Sequence, residues 1–388
     1  MKNLLLSLFF VASSVHIVVG QEKIRIEPIG RISAGRLPLS ELIESVEYIP
    51  LETNTMCLLG EVTFFKVSKN YLLLRCDPSS LIYLFSRTGK FIAQIGGIGS
   101  GHGEYNVPIP FSIDETKLQL LVWNSIQSKM LYYNLNGQFI KALDLPSYHV
   151  FAGQHRQFGN YHVMMFNGFG QDEFSYRFFS EEFELLSQRV KPVRYVSRDR
   201  SSTVFAGPFS HYIFNGLLHV RDASLNDTIY SITRNLSFTP KYIVDFGRLS
   251  FTTQIFENSE LFLRTWKDHA WGSSFFESNN YVFISFLYQE QFIYLYYDKD
   301  RRQVLKFDSN SGIPNDYDGG PDFFPQYQNE KELIAIKNAY IFEENVNRRH
   351  PRGNQVAVNR LKRITTELGT ISNSMSEANP VVVIVKLK

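Results

Sequence analysis

Cysteine is almost missing from this chain: among 388 residues there are only Cys57 and Cys76. Two thiols cannot form the disulfide framework on which small secreted folds depend, and they are too few to hold a structural zinc by themselves. They are either one disulfide between neighbouring segments or two buried thiols. Long apolar runs are also lacking. After the first twenty residues no stretch approaches the roughly 18 apolar residues that cross a bilayer, so no transmembrane span is expected. Neither sign of charge is in excess: the formal net charge is +2, which gives no electrostatic ground for a nucleic acid or an anionic membrane as partner. The sequence contains no H-x-H pair, no H-E-x-x-H and no G-x-S-x-G, so zinc-protease and serine-triad chemistry have no support.

Aromatic residues are plentiful, with 33 Phe and 21 Tyr, a composition that suits pleated surfaces. The stretch Leu81–Tyr105 shows how they are used. It predicts a strand, a turn at Arg87-Thr88-Gly89-Lys90, a second strand ending near Ile95, and a glycine-dense loop closing on Glu104 and Tyr105. The plan returns around Asn136-Gly137, and the turn glycines Gly89 and Gly137 lie 48 positions apart, a period in the range of propeller blades. Four strands from Glu61 to Ile95 make one unit and four from Phe111 to Leu143 a second. A third spans Val150 to Val190 and a fourth Val204 to Asp245. The fifth is read with strands at Thr252–Phe256, Glu260–Trp266, Tyr281–Leu287, Phe292–Asp298 and Gln303–Phe307.

Asp308 to Gln328 is rich in Asn, Asp, Gly and Pro and reads as a loop. Leu333–Phe342 returns to a strand-like pattern. Val356–Met375 has roughly helical spacing and predicts a short helix near the C-terminus; Val381–Leu387 is a last strand. The expectation is an all-β, six-bladed β-propeller over residues 21–388, with Val46–Leu51 and Val381–Leu387 joining the Leu333 region in a composite sixth blade that closes the ring. Residues 1–20 pair Lys2 with an apolar run and a small-residue exit at Val18-Val19-Gly20, so they predict a signal peptide and a periplasmic or secreted protein. No lipoprotein cysteine stands at that exit.

The segments SVEYIPLET (Ser45–Thr53), FSRTGKFIAQIG (Phe85–Gly96), GSGHGEY (Gly99–Tyr105), NDTIYSI (Asn226–Ile232), NDYDGGPDFFP (Asn315–Pro325) and NPVVVIVKLK (Asn379–Lys388) together resemble the NHL-like six-bladed β-propeller proteins of gut Bacteroidetes. His102 stands where that family's GxGPGEY pattern has proline. The resemblance implies a propeller fold and an envelope location, and it implies no agreed reaction.

The candidate site residues are Glu104, Tyr105, Asp316, Asp318 and Asp322, because loops on a rigid scaffold present polar groups without sacrificing strand pairing. Glu104 is expected to accept hydrogen bonds and Tyr105 to stack. The three aspartates either order their loop or offer oxygens to Ca²⁺, at a spacing unlike an EF-hand; no metal and no cofactor are expected. The Gly96–Gly103 run lacks the Lys-Ser/Thr and the following helix of a phosphate loop. Trp123, Trp266, Trp271 and the Tyr294–Tyr297 stretch either stack a ligand or pack between sheets. The function expected is an exported, non-enzymatic binding or scaffold propeller for a glycan, peptide or envelope protein. The alternative is a channel-mouth lyase or hydrolase acting on extracellular carbohydrate.

Overall fold

A computed structural model of the chain describes residues 22–26, 32–145, 152–166, 173–191, 210–221, 228–342, 359 and 378–388. The expected signal segment, Val204-Phe205 and nearly all of the expected helix Val356–Met375 lie outside the described residues. The chain begins with β1 (Glu22–Arg25), β2 (Ala34–Gly35), helix α1 (Leu39–Leu42) and β3 (Ile43–Pro50). A first four-stranded sheet follows: β4 (Glu61–Val67), β5 (Tyr71–Asp77), β6 (Leu81–Ser86) and β7 (Phe91–Ile95). The short pair β8 (Gly97–Ile98) and β9 (Glu104–Tyr105) leads to β10 (Pro108–Asp114), β11 (Gln119–Asn124), β12 (Lys129–Asn134) and β13 (Phe139–Asp144). Then come β14 (Ala152–Phe158), β15 (Tyr161–Phe166), β16 (Phe174–Phe179) and β17 (Leu185–Val190), followed by β18 (His211–Phe214), β19 (Leu217–Arg221), β20 (Thr228–Ile232) and β21 (Phe238–Asp245). Helices α2 (Thr253–Glu257) and α3 (Ser259–Thr265) precede β22 (Trp271–Glu277), β23 (Tyr281–Tyr288), β24 (Gln291–Asp298) and β25 (Gln303–Phe307). The last strands are β26 (Tyr327–Asn329), β27 (Glu332–Lys337) and β28 (Val381–Leu387).

The strands form where apolar residues can serve two neighbouring sheets at once. In β5, Leu72 and Leu74 face a cluster that includes Ile334 and Val382, whereas Leu73 faces Leu120 and Val122 of the next sheet. This is the period-2 alternation of a strand with both faces buried. The pattern repeats. Leu121 and Trp123 meet Met164 and Phe166, and Val163 and Met165 meet Leu218 and Val220. Trp123 is fully buried there, so it packs between sheets. Cys57 and Cys76 are free buried thiols. The outermost strands are the exception. Ile140, Lys141 and Ala142 of β13 are exposed, as expected for a sheet edge.

The two glycines that mark the sequence period have one structural job. Gly89 and Gly137 sit at φ +83° and +79° in the turns that enter β7 and β13. A Cβ at Gly89 would lie 2.0 Å from the Pro50 carbonyl oxygen of β3, and one at Gly137 would lie 2.3 Å from the Gln94 carbonyl oxygen of β7. Each turn is thus pressed on the outer strand of the preceding sheet, a position only glycine tolerates. Gly137→Val is expected to lower stability by roughly 1–3 kcal/mol, read as a shift in the urea midpoint.

The architecture is an all-β propeller with few short helices, but the expected count of six blades is corrected. Four blades stand as separate sheets: β4–β7, β10–β13, β14–β17, and β22–β25 with β2 added at its edge. The strands assigned to the fourth and sixth units instead form one nine-stranded sheet, in the order β1-β21-β20-β19-β18-β26-β27-β28-β3. A parallel bridge between Ile213 and Asn329 joins the two groups, extended by the Glu330 N–H donating to the Ile213 carbonyl at 2.7 Å. The terminal strands β28 and β3 do pair antiparallel from Val381–Pro50 to Leu387–Ile43, yet inside this sheet and not as a separate closing blade. No strand pairing among the described residues closes the sheets into a ring. The sequence period registers hairpins, whereas one bridge between distant hairpins decides whether they share a sheet.

A second correction falls on the fifth unit. The strands expected at Thr252–Phe256 and Glu260–Trp266 are replaced by helices α2 and α3: Asn258 caps α3 by accepting the Leu261 N–H at 2.9 Å, the usual N-cap arrangement.

Candidate functional site

The candidate loop residues fall into two groups, and among the described residues no hydrogen bond or ion pair joins them. Glu104 is exposed, and its Oε2 accepts the Gly101 N–H at 2.8 Å. Tyr105 is fully buried; its hydroxyl donates to the Ile95 carbonyl at 2.6 Å and accepts from the Ile82 N–H at 3.3 Å. In the other group, exposed Asp316 accepts from the Ser40 N–H and hydroxyl at 2.9 and 2.7 Å, which ties its loop to α1. Asp318 is buried and accepts from the Tyr48 hydroxyl, the Asn315 amide and the Gly320 N–H, each at 2.9 Å. Asp322 accepts from the Ser309 hydroxyl and from the Asn315 N–H at 3.1 Å. Among the described residues no group of three or more His, Cys, Asp or Glu is placed to hold a metal ion.

The structure assembles two other polar centres. The first is built on Glu277 at the end of β22. Its carboxylate is buried and accepts from Lys241 Nζ at 2.9 and 2.7 Å, Lys299 Nζ at 2.6 Å, Tyr242 at 2.9 Å and Tyr212 at 3.0 Å. Burial alone would raise the carboxyl, but Lys241 and Lys299 outweigh it and hold its pKa at about 2. Close by, His219 stacks on Tyr212 at 4.7 Å. Its Nε2 lies 3.3 Å from the Phe214 carbonyl and its Nδ1 3.1 Å from the Ser231 hydroxyl, which assigns the neutral ring with the proton on Nε2.

Burial, with Lys241 adding to it, pushes His219 down to about 4; burial, with Lys117, does the same to His162. Both folded values lie below the ordinary histidine value, so the unfolded chain binds more protons between about pH 4 and 6.5. Stability therefore falls as pH drops through that window. A loss of roughly 1 kcal/mol for the pair is expected between pH 7 and pH 6, measured as a lower urea midpoint. A midpoint that is flat or rises on acidification would contradict this assignment.

The second centre lies where β4, β14, β22 and β26 approach one another. A strand edge leaves N–H and C=O groups unpaired, and here side chains satisfy them. Lys66 Nζ of β4 donates to the His155 carbonyl of β14 at 2.6 Å. Arg156 Nη2 donates to the Gln328 carbonyl of β26 at 2.8 Å and to Asn329 Oδ1 at 3.2 Å. Gln328 in turn donates to the Glu277 carbonyl at 2.6 Å and accepts the Glu277 N–H at 2.8 Å.

Beside this layer opens a pocket of about 360 Å³ lined by Val67, Ser68, Lys69, Arg87, Tyr327, Asn329, Glu332 and Ile334. Arg87 crosses it, donating to the Ser68 carbonyl at 3.0 Å and pairing with Glu332 at 3.2 Å. Its volume is in the range of small-ligand sites, about 300–1,000 Å³. Sequence reasoning missed these residues. Lys66 and Arg87 read as ordinary polar positions of a strand and a turn, and their partners are distant in the chain.

Among solved structures, a Bacteroides fragilis protein described as a candidate exported protein superposes with TM-score 0.66 at 17% identity, covering 94% of this chain and 99% of that one. This likeness is one of fold. A member of the DUF4221 family from Bacteroides vulgatus matches with TM-score 0.47 at 12% identity, over 89% of this chain and 97% of that one. No curated protein matches the chain. The expected resemblance to six-bladed Bacteroidetes propellers is corrected: the likeness to the Bacteroides fragilis protein is one of fold, and four blades stand as separate sheets. No helix among the described residues is long and apolar enough to cross a membrane. The family model for the domain of unknown function DUF4934 matches residues 24–386, and the chain belongs to that family.

Proposed function

We propose that this propeller is an exported binding module that takes a segment of a glycan, a peptide or an envelope protein in the pocket between β4 and β26–β27. The pocket carries the proposal. It offers one aromatic face, Tyr327, beside polar groups of both signs, Lys69, Arg87 and Glu332, which suits a polar ligand held by stacking and hydrogen bonds. Export is supported by the N-terminal pattern of Lys2 and the following apolar run, and by the fold shared with a candidate exported protein. A catalytic use of the pocket ranks second. Among the described lining residues Glu332 is the one carboxylate, and it is engaged by Arg87.

The test is a glycan and peptide array probed with the chain from Gln21 onward, followed by calorimetry on any hit. Tyr327→Ala is expected to weaken binding at least about tenfold, roughly 1.4 kcal/mol, and Glu104→Gln with Asp318→Asn probes the loop surface in the same assay. Undiminished binding by folded Tyr327→Ala would remove the pocket from the proposal. A tenfold loss in the loop variant alone would move the site to Glu104 and the aspartates.

A further inference from the structure

Lys66 and Arg156 are two cations held where β4, β14 and β26 meet, and neither forms an ion pair among the described residues. Arg156 is 3% exposed. Its Nη2 spends its donors on Gln328 and Asn329, its guanidinium overlies the Tyr327 ring at 4.2 Å, and its Nη1 is buried with no hydrogen-bond partner among the described residues. Lys66 is half-buried and shares its ammonium with one carbonyl, that of His155, the residue before Arg156. An ammonium carries three donors and each terminal guanidinium nitrogen two. The pair therefore retains several N–H groups with no acceptor assigned.

Burying such groups unpaired is costly, and two like charges side by side add to the cost. Burial, with the neighbouring Arg156 adding to it, lowers the Lys66 pKa to about 7. Glu330, whose charge acts on Arg156, is not in ion-pair contact with it among the described residues, and its Oε1 accepts the Gly216 N–H at 3.0 Å. A hydrophobic side chain at position 66 would satisfy the fold with less penalty. Two of Arg156's contacts, Tyr327 and Asn329, also line the 360 Å³ pocket, and Val67 and Ser68 continue that lining directly from Lys66.

We infer that Lys66 and Arg156 form an anion site that takes a small oxyanion, the carboxylate, sulfate or phosphate group of a free ion or of a larger ligand. Guanidinium and ammonium supply the charge-assisted donors such a group needs. The bound anion removes the repulsion between the two cations. The site does not depend on what occupies the pocket, so an array that finds no glycan or peptide leaves it standing.

The experiment uses the chain from Gln21 onward in sodium acetate, sodium sulfate and sodium phosphate, each against sodium chloride at equal ionic strength. A saturable rise in melting temperature is expected for at least one of the three, superimposed on the non-saturating effect that sulfate and phosphate have on any protein. The responding anion assigns the class, planar carboxylate or tetrahedral oxyanion. Lys66→Met and Arg156→Gln should each weaken that anion at least tenfold. In chloride alone, Lys66→Met should melt higher than the wild type, because it deletes an unpaired cation.

NMR titration of Cε-labelled lysine adds a readout that a purely structural role would not move: the Lys66 pKa should rise in the bound anion. If Arg156→Gln does not fold, Lys66→Met and the titration carry the test. Identical, non-saturating responses of wild type and Lys66→Met to all three salts, or a Lys66 pKa unmoved by any of them, would overturn the site.

Discussion

Deleting Pro380–Lys388 is expected to abolish cooperative folding. β28 is not a tail; it lies between β27 and β3, pairing with β27 from Glu332–Lys386 to Lys337–Val381 and with β3 along its whole length. Its residues Val381, Val382, Val383, Ile384, Val385 and Leu387 are all buried. They serve both sides of the sheet, Val382 and Ile384 against the first sheet and Val381, Val383 and Val385 within the largest core cluster. At roughly 1.5–3 kcal/mol for each such side chain, their removal rivals the whole net stability of a typical domain, about 5–15 kcal/mol. The deletion also opens two strand edges inside a sheet, which invites self-association. Circular dichroism during a thermal ramp and size-exclusion chromatography read the outcome. A monomeric truncated protein with a wild-type melting curve would show that β28 adds nothing to the fold.

That strand was legible because an uninterrupted VVVIV run after Pro380 has no other use than a fully buried strand. The hairpins of β4–β7 and β10–β13 were legible for a similar reason, with Gly89 and Gly137 as their punctuation. Three features were not. The merging of two units into a nine-stranded sheet rests on Ile213 and Asn329, which are 116 positions apart and chemically unremarkable in sequence. The α2–α3 helices hid behind apolar residues that also fit strands, although Asn258 three residues ahead of Leu261 was an N-cap signal in plain view.

The polar centres could not be read at all. Lys66 looks like the solvent-facing residue of an alternating strand, and only the approach of β14 turns it inward. The loop aspartates were recognisable as turn-makers, but nothing local reveals that Asp318 anchors Tyr48, 270 positions away. Strand patterns are local, whereas polar networks are made by tertiary contacts.

Glu277→Ala is expected to cost about 3–5 kcal/mol, the range for removing one partner of a buried ion pair. The reasoning follows from what remains after the carboxylate is gone. Lys241 and Lys299 lose their counter-charge: Lys299 Nζ keeps the Ser278 and Asn279 carbonyls at 2.6 and 3.1 Å, whereas half-buried Lys241 keeps, among the described residues, the face of Tyr242. The hydroxyls of Tyr212 and Tyr242 lose the acceptor they share. Two ammonium groups near one another then repel in a poorly solvated interior.

Glu277→Gln separates charge from shape, because its amide can still accept from one lysine but leaves a net positive cluster; it should fall between wild type and alanine. A triple variant, Glu277→Leu with Lys241→Met and Lys299→Met, should recover much of the loss if the cost is unpaired charge and not lost packing. The wild-type centre also sets an acid limit. The folded pKa of about 2 lies below the ordinary glutamate value, so its stabilisation is complete above about pH 4.5 and disappears as pH falls toward 2. In Glu277→Ala that part of the acid dependence should vanish, leaving the histidine window between about pH 4 and 6.5 in place. An alanine variant within 1 kcal/mol of wild type at pH 7, with an unchanged acid limb, would mean that the two lysines reach solvent and that Glu277 does not organise this end of β22.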